Sequence, residues 1–127
     1  MCDREAIAFG VSKAFPCAIF IHANRPNDIK PHHLLRQCTV MLVDSVVNSG
    51  KMIMNFIQHV RSLHATIRVV VVAGVAQAQS VSEGSLAQVL ARDANLSLVA
   101  LRLSDNRFTG RGTTDTGNRL FNTTLLA

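Results

Sequence analysis

Asp44 follows a run of four apolar residues, Val40-Met41-Leu42-Val43, and leads into Ser45-Val46-Val47-Asn48-Ser49-Gly50-Lys51. This is the order of a strand, a loop and a helix start, and the residues at the join are suited to two tasks. Ser49, Gly50 and Lys51 would stand at the first turn of a helix, where backbone N–H groups lack intrahelical partners and the helix dipole is positive. Such a turn binds phosphate without dedicated side chains. Asp44, at the end of the strand, would accept hydrogen bonds from a vicinal diol, so an anion nest beside a carboxylate suits a ribose 5-phosphate. A plainer reading is equally open, in which Asp44 ends a strand and Ser49 caps a helix, because this order is common in doubly wound proteins.

Other residues with chemical potential give weaker patterns. Pro31-His32-His33 has no acid or Cys at ligand spacing and reads as a solvent-exposed loop rather than a metal site. His59 and His64 are five residues apart and do not share a helical face, and His64 falls at the border of an apolar stripe. Cys38 reads as a small apolar residue entering a strand. Arg107, Arg111 and Arg119 form either a phosphate-attracting rim or a solvated basic tail.

The elements that would position these residues follow from apolar patterning. Residues 40–43, 69–73 and 96–103 are apolar enough to be strands covered on both faces, the habit of parallel sheets, and Ala18-Ile19-Phe20-Ile21 is a shorter candidate to join them. Residues 51–65 place Ile53, Phe56, Ile57, Val60, Leu63 and His64 at three- and four-residue spacing, a helical stripe. Ser80-Val81-Ser82-Glu83 matches a capping box ahead of a second helical face, Leu86, Val89, Leu90 and Ala94, that stops at Asn95. Residues 4–13 form a weaker helix that Asp3 could cap. Residues 23–37, with Pro26 and Pro31, read as a loop. Strands alternating with helices imply right-handed crossovers and an open, mainly parallel α/β sheet with flanking helices. Ligands of such sheets collect at the carboxyl ends of the strands, where residues 43–52 lie.

Composition narrows the classes. A chain of 127 residues with 48% hydrophobic and 17% charged residues is expected to be a single globular domain, 1–127. Its net charge of +5 suits phosphorylated small molecules, nucleic acid or anionic lipid, but the thirteen Lys and Arg are scattered and no basic-aromatic alternation occurs. Neither a nucleic-acid nor a membrane partner is expected. Three cysteines without a C-x-x-C pair favour a reducing, cytoplasmic setting, and no run approaches the length of a membrane span.

Two segments together resemble a known family. Val40-Met41-Leu42-Val43-Asp44-Ser45-Val46-Val47-Asn48-Ser49-Gly50 looks like the phosphoribosyl-pyrophosphate loop of type I phosphoribosyltransferases, in which apolar residues precede an acid and a Thr-Gly or Ser-Gly turn. Ser45 stands where many of these families have a second acid, which the uracil enzymes also lack. Gly112-Thr113-Thr114-Asp115-Thr116-Gly117-Asn118-Arg119-Leu120-Phe121-Asn122-Thr123 is similar to the terminal signature of uracil phosphoribosyltransferases. The chain thus resembles the C-terminal portion of that family, and an N-terminally truncated phosphoribosyltransferase-type fold is implied.

The resemblance implies that Asp44 holds the ribose hydroxyls and that Asn48, Ser49, Gly50 and Lys51 hold the 5-phosphate. Gly112, Thr114, Asp115 and Thr116 would border uracil, with Asp115 orienting or deprotonating the ring nitrogen. The implied reaction, a step of pyrimidine salvage, transfers phosphoribosyl from phosphoribosyl pyrophosphate to uracil, giving uridine monophosphate and pyrophosphate. Mg2+ would ride on the leaving group, and a homo-oligomer is expected. Lys51 and Met52 replace a Gly and a hydroxyl residue of the family pattern, while Thr114, Asn118 and Asn122 replace Gly, Asp and Gly. The family's N-terminal arm and Arg-rich pyrophosphate-binding segment are expected to be missing, with Arg4 either a remnant of that segment or a solvated helix residue. The alternative is a non-catalytic nucleotide-binding or assembly protein derived from the same family.

Overall fold

The computed structural model describes the backbone of residues 3–105 and side chains from residue 7 onward. Its elements run α1 (Asp3–Ala14), β1 (Thr39–Val47), α2 (Lys51–Leu63), β2 (Arg68–Gln77), α3 (Ala78–Ser82), α4 (Gly84–Arg92) and β3 (Leu96–Ser104). Two short 3-10 turns, Pro26–Asp28 and Pro31–Leu34, punctuate the connection from α1 to β1. The three strands form one parallel sheet in the order β1-β2-β3, so both crossovers carry helices. This is the open parallel α/β arrangement that the alternation of apolar runs and helical stripes implies.

The core lies between the helices and the sheet. Leu42, Val69, Val71, Ala73 and Leu96 are buried, and Ile53, Met54, Ile57 and Val60 of α2 pack into the same cluster with Leu86 of α4. β2 is central, and its β-branched residues alternate between fully buried Val69 and Val71 and half-buried Val70 and Val72. Among the described residues, coverage on both faces, expected for all three runs, is not reached at β3. Val99, Leu101 and Leu103 are 52%, 72% and 56% exposed. The reason is position: β3 lies at the end of the strand order, and α1 packs against β1 at the other end.

Several local expectations are corrected. Ala18-Ile19-Phe20-Ile21 is not a strand but an exposed connection with no sheet partner, and Phe20 stacks on Phe9 with ring centroids 5.9 Å apart. Four apolar residues supply β-propensity, but a strand needs a ladder to join. Ser80 does not cap a helix: it lies inside α3, and its hydroxyl donates to the Gln77 carbonyl at 2.7 Å. The long helix behind it begins instead at Gly84, whose φ of +87° breaks α3 from α4. Cys38 is exposed and stops one residue short of β1.

α2 ends two residues before the expected limit, His64 leaves the apolar stripe, and Met54, not counted in that stripe, is buried. His64 is exposed, and its Nδ1 accepts from the Ile67 amide at 3.0 Å and the Thr66 amide at 3.3 Å, which turns the chain into β2. Arg61, in the last turn of α2, donates through Nε to Asp93 at 2.8 Å and through its two terminal nitrogens to the Ile67 and Asn95 carbonyls. One guanidinium thereby ties α2 to the segments that enter β2 and β3. His59 Nε2 lies 2.7 Å from the Ile29 carbonyl and fastens the proline-containing connection to the same helix. Both supports hold α2 in place.

Candidate functional site

Asp44 is not at the end of a strand, as the sequence reading expected, but within it: β1 continues through Val47, and Asp44 pairs with Ala73 of β2. A parallel ladder is built from backbone groups, so polar Asp44 and Ser45 do not interrupt a strand that is already paired on one side. The ladder passes from the Asp44–Ala73 pair to the Val46–Val75 pair, skipping Ser45 and Gly74. There the Ser45 amide donates to the Asp44 carboxylate at 2.8 Å, which fixes one carboxylate oxygen against the backbone. Asp44 is half-buried.

Beyond Val47 the chain crosses Asn48, Ser49 and Gly50 and enters α2 at Lys51. Gly50 is the residue before the helix, with φ +80° and ψ 0°, a left-handed conformation that glycine adopts without steric penalty. The first intrahelical bond runs from the Met54 amide to the Gly50 carbonyl at 2.9 Å. The amides of Lys51, Met52 and Ile53 therefore precede the ladder, and Lys51 N–H makes only a long 3.3 Å contact with Ser49 Oγ. A cavity of about 240 Å³ opens here, lined by Asp44 and residues 46–53. It brings the carboxylate, the helix start, half-buried Asn48 and the exposed side chains of Ser49, Lys51 and Met52 to one place.

All five residues assigned to the phosphoribosyl group, Asp44, Asn48, Ser49, Gly50 and Lys51, line this cavity. Gly112, Thr114, Asp115 and Thr116, assigned to uracil, lie outside the described residues, as do Arg107, Arg111 and Arg119. The backbone of Arg4 falls in α1. Sequence reasoning missed Leu86. This α4 residue is 1% exposed and sits directly behind Gly50: a Cβ built on Gly50 would lie 2.9 Å from Leu86 Cδ2 and 3.1 Å from its Cβ. The only sequence signal was the glycine itself, which marks a close approach without naming the neighbour.

Strand, loop and helix start at the carboxyl edge of a parallel sheet define an α/β protein whose ligand crevice lies beyond its strand ends. The family model described as uracil phosphoribosyltransferase matches residues 5–123, and the chain belongs to that family. Its fold is accordingly the phosphoribosyltransferase type, and membership carries a phosphoribosyltransferase-like role with small-molecule substrates. No curated protein and no solved structure matches the chain. Among the described residues, no helix is long and apolar enough to cross a membrane.

Proposed function

We propose that the protein transfers phosphoribosyl from phosphoribosyl pyrophosphate to uracil, yielding uridine monophosphate and pyrophosphate, as a cytoplasmic homo-oligomer acting in pyrimidine salvage. The observation that carries this reading is the cavity at the start of α2, where the motif residues of a family matched over 5–123 stand together. The amides of Met52 and Ile53, with the Ser49 hydroxyl and the Asn48 side chain, hold the 5-phosphate, and the Lys51 ammonium adds charge. Asp44 accepts hydrogen bonds from the ribose hydroxyls through the carboxylate that the Ser45 amide orients.

The bond from the sugar carbon to pyrophosphate breaks as the bond to the uracil nitrogen forms, and the proton on that nitrogen leaves. Asp115 is assigned the task of orienting or receiving it, with Gly112, Thr114 and Thr116 bordering the base. Catalysis is then mostly positioning and charge stabilisation about an electron-poor carbon. Among the described residues, no three His, Cys, Asp or Glu side chains are grouped to hold a metal ion. Mg2+ would be carried by the substrate's own phosphate oxygens, where it would neutralise charge on the leaving group.

Incubation with uracil, phosphoribosyl pyrophosphate and Mg2+ should give uridine monophosphate by chromatography, and Asp44→Asn should lower kcat/KM by about a hundredfold. Absence of product at high protein concentration rejects catalysis. One observation favours a second reading, a nucleotide-binding protein without turnover: Lys51 and Met52 occupy the turn where family members carry a Gly and a hydroxyl residue, and Met52 is 59% exposed at the cavity. Thermal stabilisation by uridine monophosphate in a preparation that makes no product would establish it.

A further inference from the structure

Leu86 belongs to an element outside the cavity, is not part of its lining, and yet determines the space available to Gly50. It is the one buried residue of α4, a helix whose direction is set by the left-handed Gly84 two residues earlier. Its side chain fills the volume that a Cβ on Gly50 would occupy. Leu86, in the first turn of α4, thus packs close beside Gly50, and the loop at φ +80° has no space for a side chain there.

We infer that Leu86 is a positioning residue for phosphate binding: it touches no ligand and acts through Gly50, holding the amides of the first turn of α2 in the anion-binding arrangement. The inference rests on the phosphate reading of the cavity. Shortening Leu86 would leave an unfilled volume behind Gly50, and residues 48–51 would settle into it. Amides displaced by a fraction of an ångström bind a phosphate more weakly, because charge-assisted hydrogen bonds depend on distance and direction.

The test compares ribose 5-phosphate binding by isothermal titration in the parent protein, Leu86→Ala, Leu86→Met and Ile67→Ala. Ile67 is 3% exposed and precedes β2, at the opposite end of the sheet, so its truncation loosens the core without approaching the loop. Leu86→Ala should raise Kd by about tenfold, scaled from the penalty for misplacing a binding group. Leu86→Met, which keeps the volume, should return Kd to within about twofold of the parent. Ile67→Ala should lose comparable stability in urea with its Kd unchanged. If the parent binds and Leu86→Ala binds equally well, or if Ile67→Ala weakens binding as much, Leu86 is merely core and the inference is wrong. If the parent does not bind ribose 5-phosphate, the phosphate reading itself falls and takes this inference with it. Should Leu86→Ala fail to fold, Leu86→Val supplies the same comparison with a smaller expected loss, and an unchanged Kd in that variant overturns the inference.

Discussion

Replacing Gly50 by Ala imposes two separable penalties. A residue with a Cβ held at φ +80° costs about 1–2 kcal/mol in backbone strain. The added methyl also falls 2.9 Å from Leu86 Cδ2 and 3.1 Å from Leu86 Cβ. Rotation can move the terminal methyl, but Cβ is fixed to the backbone of α4, so relief requires a shift of the helix or the loop. Overpacking of this kind adds about 1–3 kcal/mol, for a total of about 2–5 kcal/mol. The chain has neither Trp nor Tyr, so urea unfolding is best followed by far-ultraviolet circular dichroism. The contact is isolated by a double-mutant cycle. Leu86→Ala alone costs about 2–5 kcal/mol through its cavity. In the double variant Leu86 Cδ2 and Cγ are gone while Cβ remains, so the new methyl gains part of that cavity and the combined loss should fall short of the sum by about 1 kcal/mol. Additivity within about 0.5 kcal/mol would show that the two residues do not interact and would refute the packing argument.

Arg61→Ala removes charged donors from Asp93 and from two backbone carbonyls and should lower stability by about 2–3 kcal/mol; a change under about 0.5 kcal/mol in urea unfolding would show that the three-segment tie is ornamental. The Arg61 guanidinium, with a smaller contribution from the Asn95 amide, holds the Asp93 carboxyl below the usual carboxylate range against an opposing desolvation effect. Because the folded value is depressed, this stabilisation is complete above about pH 4 and is lost as pH falls through the folded value. The gap in Tm between the parent and Asp93→Asn should therefore be constant from about pH 5 to 7 and close at lower pH; a gap that widens on acidification contradicts the assignment.

The parts of the molecule fixed by local patterning were legible in the sequence. β2 and α2 were recovered because Val69 and Val71, or Ile53, Ile57 and Val60, carry their periodicity in residue type alone. The errors arise where a partner decides. Asp44 and Ser45 resemble the start of a loop in composition, yet they remain in β1 because β2 supplies backbone partners whatever their side chains. Ala18-Ile19-Phe20-Ile21 errs in the opposite sense, with the composition of a strand and no ladder to enter. At 80–83 the pattern Ser-x-x-Glu was present, but Gly84 at positive φ moved the break between helices four residues onward from Ser80. Leu86 was assigned to an apolar face and belongs there; nothing in its type or spacing told that it faces Gly50.

These differences imply that the two halves of the cavity are held by unlike means. Asp44 is set by a ladder made of backbone groups, reinforced by the neighbouring Ser45 amide, so its placement tolerates changes in the side chains around it. Gly50 is set by contact with a single side chain from an element more than thirty residues later, together with a backbone conformation that disfavours a Cβ. The carboxylate end is therefore robust and the anion end is sensitive to packing. On the proposed phosphate reading, a substitution in α4 should weaken binding without touching the cavity, whereas substitutions along β1 that preserve Asp44 and strand pairing should leave the carboxylate in place. The order of sensitivity follows from geometry: packing transmits a displacement of one side chain directly to its neighbour, while a paired strand shares it along the ladder.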